Sequence, residues 1–123
     1  PVVWCLARGL YRKIPTKPVD CRPAVADGRL VMVTPFPDTV TRITRETAMQ
    51  SNRVAAELAS AVVVAHAAPG GKMESLCRDL LAAGKPLFTF DHPENASLIS
   101  HGAKTVDSPE FEALLAECLN SLA

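Results

Sequence analysis

The stretch of sequence that decides the fold covers residues 46–91 and reads ETAMQSNRVAAELASAVVVAHAAPGGKMESLCRDLLAAGKPLFTFD. In it, a helix with one apolar face leads into a run of valines, and a Gly-Gly turn then opens a second helix that leads into another apolar run. Apolar strands that alternate with helices are typical of a parallel sheet covered on both faces. Such sheets bind ligands at the strand-to-helix turn, because N–H groups at a helix start point outward and carry partial positive charge.

The rest of the chain continues this alternation. The predicted strands are Val2–Leu6, Arg29–Thr34, Ser60–Ala65, Pro86–Phe90 and a short edge strand at Lys104–Val106. The predicted helices are Val19–Asp27, Thr47–Leu58, Gly71–Ala83, Glu94–His101 and Pro109–Leu122. Val2–Leu6 shows no polar alternation, so we expect this strand to be buried on both faces, with Trp4 in the core. Together the elements predict an α/β domain with a three-layer, mostly parallel Rossmann-like sheet and helices on both faces.

Length and composition limit the classes of function. The 123 residues suit one domain or part of one, and 48% hydrophobic with 21% charged residues is ordinary for a soluble globular protein. No apolar run is long enough to cross a membrane, and no signal segment opens the chain. Because a strand follows directly on Pro1, we interpret residues 1–123 as the later portion of a larger Rossmann-fold domain that lacks its N-terminal part.

The spacing of cysteine and histidine predicts neither a metal site nor a cofactor. The four cysteines stand at positions 5, 21, 77 and 118 without a C-x-x-C pair, and the three histidines complete no zinc pattern. Reduced thiols, mostly buried, are the expected state, which predicts a cytoplasmic protein.

Basic residues concentrate in the first part of the chain. Residues 1–53 hold nine Lys or Arg against four Asp or Glu, and residues 54–123 hold four against nine. The loops that follow parallel strands share one edge of the sheet, so their glycines and basic residues are predicted to bind phosphate. The predicted members are Arg8, Gly9, Arg12 and Lys13 after the first strand, Arg45 after the second with Asn52 and Arg53 in the helix beyond, and Gly70, Gly71 and Lys72 after the third.

Each candidate also has a plainer interpretation. Surface Arg and Lys are usually only solvated, and Gly70 and Gly71 are compatible with a simple strand-to-helix turn. Asn52 is expected to bond a backbone group, near the turn after the third strand, rather than a ligand. His66 is expected to be a satisfied polar end of a strand, and no residue is predicted to be catalytic.

Three blocks of sequence, taken in order, resemble one family. Val3–Pro15 (VWCLARGLYRKIP) is similar to a strand followed by G-x-G-L-D-x-x-Y-P, and Ser51–His66 (SNRVAAELASAVVVAH) to N-R-I-I-x-x-L-S-D-A-V-L-V-V-E. Ala83–Ala103 (AGKPLFTFDHPENASLISHGA) is similar to G-K-x-V-F-x-V-P-G followed by N-x-L-I-x-x-G-A. These patterns belong to DNA-processing protein A (DprA/Smf), in the SLOG/LOG-like superfamily, and the resemblance runs from Val2 to about Val106.

This resemblance implies a Rossmann-fold protein without catalytic activity. Members of the family bind single-stranded DNA during uptake and recombination in transformation, hand it to a RecA-type recombinase and often form homodimers. The resemblance therefore implies single-stranded DNA or a nucleotide as ligand, no cofactor and a cytoplasmic location.

The chain departs from the family at two places, which keeps other functions open. Gln50 and Ser51 stand where the family has a basic pair, and Pro69–Glu74 (PGGKME) replaces the turn S-G-S-x-x-T. The LOG enzymes, which cleave nucleoside monophosphates, carry P-G-G-x-G-T-x-x-E, but Cys77 stands where their catalytic Glu would be, and a thiol cannot replace it at neutral pH. The alternatives are a nucleotide-binding sensor or nucleotide-processing protein of that superfamily, and an interaction domain that has lost its ligand site.

Overall fold

Five short strands and five α-helices are formed by residues 1–10 and 13–121, which are the residues that the computed structural model describes. The strands are β1 (Val2–Cys5), β2 (Leu30–Val33), β3 (Val62–Val64), β4 (Leu87–Thr89) and β5 (Lys104–Thr105). The helices are α1 (Arg22–Ala26), α2 (Arg45–Leu58), α3 (Lys72–Ala82), α4 (Ala96–Ser100) and α5 (Pro109–Ser121), with a 3-10 turn at Pro93–Asn95 before α4. The chain divides into two units, Pro1–Glu57 and Leu58–Ala123.

The first unit is built on the parallel pair β1–β2, in which Val2 lies opposite Leu30 and Cys5 opposite Val33. The short helix α1 lies between the two strands in the chain, and Pro23 is tolerated there because it stands in the first turn, where no intrahelical N–H bond is lost. Buried Leu6 extends the pairing, since its N–H donates to Val33 O at 2.8 Å.

The second unit contains the parallel sheet β3–β4–β5, with Val62 opposite Leu87 and Phe88 opposite Lys104. Strand β4 is buried along its whole length. The Thr89 hydroxyl is fully buried and donates to Val64 O at 2.7 Å, so its polar atom is satisfied between two strands. Phe111 of α5 packs on Phe88 with ring centroids 5.1 Å apart. The core of this unit also holds Ala67, Leu76, Cys77, Leu80, Leu98 and Ala103.

The α/β class and the parallel pairing of strands are confirmed, and the pairing forms two small sheets, one in each unit. The short edge strand at Lys104 is confirmed as well. The expected burial of β1 is wrong. Val2, Val3 and Trp4 are 67%, 58% and 42% exposed, because side chains alternate between the two faces of a strand and neither face is fully covered. The apolar run indicated the strand but not the number of layers that pack on it.

Several helix boundaries differ from the predicted ones. The segment predicted as one helix from Glu94 to His101 is a 3-10 turn followed by α4, and the end of the helix predicted to reach Leu122 lies outside the described residues. Helix α2 begins at Arg45, two residues earlier than predicted, and of the apolar face expected for it Leu58 is 71% exposed.

The early start of α2 has a local cause. The Thr44 hydroxyl accepts from the Thr47 N–H at 3.1 Å, while the Thr47 hydroxyl accepts from the Thr44 N–H at 2.8 Å. This reciprocal pair satisfies two backbone donors as a capping box does, with Thr in the position that Glu or Gln usually takes. The sequence signal was present as T-x-x-T at residues 44–47.

Candidate functional site

The carboxyl ends of β1 and β2 are joined by a network of hydrogen bonds around Arg8 and Gly9. The Thr34 hydroxyl donates to Arg8 O at 2.6 Å and accepts from the Phe36 N–H at 3.1 Å. The Gly9 N–H donates to Val40 O at 2.8 Å. Arg8 therefore lies in the loop after β1, whose backbone is hydrogen-bonded to the loop after β2. The Arg8 Nη1 donates to Gly9 O at 3.0 Å.

Gly9 is required by space rather than by backbone conformation. It is buried, and a Cβ built on it would lie 2.2 Å from Pro37 O and 2.8 Å from Asp38 Cα. Because these are backbone atoms, no side-chain rotation relieves the clash. The absence of a side chain at position 9 lets the loops after β1 and β2 approach each other.

Helix α2 carries three of the predicted site residues. Arg45, Asn52 and Arg53 are all exposed, while the buried Ser51 hydroxyl donates to Cys5 O at 3.0 Å. Ser51 thus fixes α2 to the end of β1. Arg45 belongs to the first helical turn and not to the preceding loop. The expected backbone hydrogen bond of Asn52 is absent within residues 1–10 and 13–121.

The other two basic candidates of the first unit do not join Arg8 in the described part of the chain. Lys13 lines a cavity of about 550 Å³ with Gly28 and Leu30, so it lies beside the start of β2 and not at its carboxyl end. Arg12 lies outside the described residues.

The loop between β3 and α3 forms the turn that the sequence predicts. Gly70 has φ +76°, a conformation that favours glycine, and the Gly71 N–H donates to Ala68 O at 3.0 Å. Gly71 is the N-cap of α3 and provides no side-chain acceptor, and Lys72 is the first residue of the helix. Residue 71 therefore supplies no side-chain cap for the first-turn N–H groups of α3, which suits the approach of an anion.

The sequence did not reveal that Glu74, in the first turn of α3, is buried. It is only 7% exposed, and its Oε2 has no hydrogen-bond partner within the described residues. Burial, and next the negative charge of Glu74, raise the pKa of the Cys77 thiol. Cys77 is therefore a protonated thiol near neutral pH. The carboxylate in this part of α3 is that of Glu74, three residues before Cys77.

A second group that the sequence did not reveal joins the carboxyl ends of β3 and β4. The Asn95 Nδ2 donates to Ala65 O and to Phe90 O, both at 3.1 Å, and Asn95 Oδ1 lies 3.3 Å from His66 Nδ1. Glu94 Oε2 lies 3.7 Å from the same ring nitrogen. The expectation that His66 is a satisfied polar residue near a strand end is confirmed for one of its two nitrogens. The partner could not be predicted because Asn95 is 29 residues away in sequence.

The predicted site residues are thus divided between the two units. Arg8, Gly9, Lys13, Arg45, Asn52 and Arg53 belong to the first, and Gly70, Gly71 and Lys72 belong to the second.

Within residues 1–10 and 13–121, no three His, Cys, Asp or Glu side chains are grouped closely enough to hold a metal ion. None of the helices in this part of the chain has both the length and the apolar character needed to span a membrane. Comparison of the chain with protein-family models, curated proteins and solved structures finds no match.

Proposed function

We propose that this chain is a DprA-like Rossmann domain that binds single-stranded DNA without catalysis. The observation that carries the proposal is the pair Arg45 and Arg53 on the exposed side of α2, whose other side is fixed to β1 by Ser51. Eight residues of helix separate the pair, which is about 12 Å along the axis. Two cations at this spacing on one rigid element suit two phosphates of an extended strand that are separated by a third phosphate.

Two further features support phosphate binding. Arg8 stands on a loop held at the carboxyl end of β1, and the first turn of α3, beyond the Gly71 N–H that is bonded to Ala68 O, presents backbone N–H groups. A polynucleotide has a phosphate at every residue, so each unit is able to contribute its own contacts.

The remaining parts of the proposal follow the family resemblance. They are the three-layer Rossmann-like arrangement as part of a larger domain, a cytoplasmic location, transfer of DNA to a RecA-type recombinase, and a homodimer. The parallel pairing in both sheets supports the first of these. Leu115 and Leu119, which are exposed on α5, support the homodimer.

The second candidate function is a nucleotide-binding sensor or nucleotide-processing protein of the LOG-like superfamily. Glu74 favours it, because a buried carboxylate with an unpartnered oxygen beside a P-G-G turn suits a ligand that donates hydrogen bonds. Cys77 does not support a hydrolase, since its raised pKa leaves the thiol neutral.

The test is fluorescence anisotropy of labelled oligo-dT at low and moderate salt, with duplex DNA and mononucleotides as competitors. Replacing Arg45 and Arg53 together by Ala is expected to weaken binding and to reduce the slope of log K against log salt by about 1.4, because two phosphate contacts are lost. The matched control is Arg22→Ala with Arg29→Ala, which removes the same charge from the same unit at residues already paired with Asp20 and Asp27.

Each result bears on one of the candidates. Equal salt slopes for the two double variants would contradict the assignment of Arg45 and Arg53. No binding of oligo-dT, together with a saturable rise in melting temperature with a mononucleotide, would replace the proposal by the second candidate. The absence of both oligo-dT binding and mononucleotide binding would favour the interaction domain.

A further inference from the structure

The loop that follows β3 holds a histidine whose ring orientation is determined by its neighbours. Asn95, 2% exposed, directs its Nδ2 at two backbone carbonyls, so the amide orientation is settled by hydrogen bonds and Oδ1 is the atom that faces His66. The carboxylate oxygen of Glu94 faces the same ring nitrogen at 3.7 Å. Because both neighbours of Nδ1 are acceptors, Nδ1 must carry the proton in the neutral ring.

The other ring nitrogen then has a lone pair to offer. With the proton on Nδ1, Nε2 of the neutral imidazole is an acceptor, and half of the side-chain surface is exposed. No partner for Nε2 is present among the residues that the structure describes. The backbone on both sides is fixed as well, since Ala65 O is bonded by Asn95 and Ala67 is 1% exposed.

The same loop thus offers two complementary kinds of atom. His66 presents an acceptor in its first half, and the first turn of α3, which follows the Gly71 N–H already bonded to Ala68 O, presents backbone N–H groups at its end. A phosphate oxygen suits the donors but not a neutral Nε2, because two acceptors cannot bond each other. The complementary ligand carries an anion together with an N–H or O–H group, as a nucleotide does.

We propose that His66 is a ligand-contacting residue whose Nε2 accepts a hydrogen bond from a base or sugar donor of a bound nucleotide, and that Asn95 is the positioning residue that fixes its ring. The inference rests on the proposed function and adds the orientation of the bound nucleotide. The nucleoside lies toward His66, and its phosphate lies toward the first turn of α3.

The ring state is tested first in the free protein, by two-bond nitrogen–proton NMR spectra of the three histidines at a pH where the rings are neutral. His66 is expected to be protonated on Nδ1. His101, whose Nδ1 lies 2.6 Å from Ser97 O, is expected to show the same tautomer, and His92, whose Nδ1 accepts from the Glu94 N–H at 3.2 Å, the opposite one. A proton on Nε2 of neutral His66 would overturn the inference.

The contact is tested by oligo-dT binding, since thymine N3–H is a suitable donor. His66→Ala is expected to weaken binding two- to tenfold, the range of one net hydrogen bond. His66→Gln keeps an acceptor near the Nε2 position and is expected to bind within twofold of the unchanged chain. His101→Ala, an exposed position at the C-terminal end of α4, is the matched control and is expected to have no effect.

Lowering the pH distinguishes a neutral His66 that accepts a hydrogen bond from a protonated His66 that attracts phosphate. As Nε2 gains a proton, followed in the same NMR spectra, the difference between the unchanged chain and His66→Ala is expected to shrink. A difference that grows would mean that the imidazolium, beside Glu94 and Asn95, binds phosphate, and would overturn the proposed contact.

If His66→Ala binds normally while the Arg45 and Arg53 variant binds weakly, only this inference fails. If the unchanged chain does not bind oligo-dT, the proposed function fails, and the inference fails with it.

Discussion

Asn95 shows how one buried polar side chain organises the edge of the second sheet. Its amide donates to one carbonyl beyond β3 and to one beyond β4, and its oxygen faces the ring of His66. A buried amide is stable only when its donors and acceptors are paired, and here the described partners satisfy both ends. Asn95 therefore links the stability of the second unit to the geometry of its candidate site.

Replacing Asn95 by Ala is expected to lower the free energy of unfolding by about 3 kcal/mol, because two hydrogen bonds of a buried side chain are lost and a small cavity forms. Asn52→Ala is the matched control. Its side chain is exposed on α2, and alanine favours a helix, so the expected change is a stabilisation of up to about 0.7 kcal/mol. Urea unfolding of the two variants measures both values. Similar midpoints would contradict the role assigned to Asn95.

At the scale of elements, the order of strands and helices was predictable from the sequence, and the packing between them was not. The valine run at Val62–Val64 and the Gly-Gly turn before Lys72 follow from local rules of strand and turn formation. The exposure of Trp4 and the burial of Glu74 depend on which segments cover them, which periodicity does not encode. The contact of His66 with Asn95 was missed for the same reason.

Helix α2 provides a test of a local rule. Thr44→Ala is expected to cost about 1 kcal/mol of stability, because the first turn loses a side-chain acceptor. Thr47→Ala is expected to cost a similar amount, and the double variant less than the sum, since both belong to one reciprocal pair. Thr39→Ala, at an exposed turn residue, controls for the loss of a threonine. Additive losses in thermal unfolding would contradict the reciprocal cap.

Over the whole molecule, charge is balanced in total but not between the units. The first unit holds nine Lys or Arg against five Asp or Glu, and the second holds four against eight, so they carry opposite formal charges of +4 and −4. This imbalance agrees with a phosphate-binding role for the first unit. It also means that different copies attract each other through unlike surfaces when salt is low.

We therefore expect the chain to self-associate most strongly near its isoelectric point of about 7.3 and at low salt. Added salt is expected to weaken this association by screening, in contrast to an association driven by apolar surfaces such as Leu115 and Leu119. Light scattering between pH 5 and 9, at two salt concentrations, measures the effect. Scattering that rises with salt at pH 7.3 would show that the apolar surfaces dominate.

The close approach at Gly9 also has a consequence for how this chain is able to diverge. A side chain at that position meets the Pro37 carbonyl whatever its chemistry, so even alanine must first push two loops apart. Arg45 and Arg53, in contrast, are exposed residues, and lysine at either position keeps the charge without displacing backbone atoms. Substitutions at such charged residues are able to change the ligand preference of the chain over evolutionary time. Position 9, where the two loops meet, accepts only glycine.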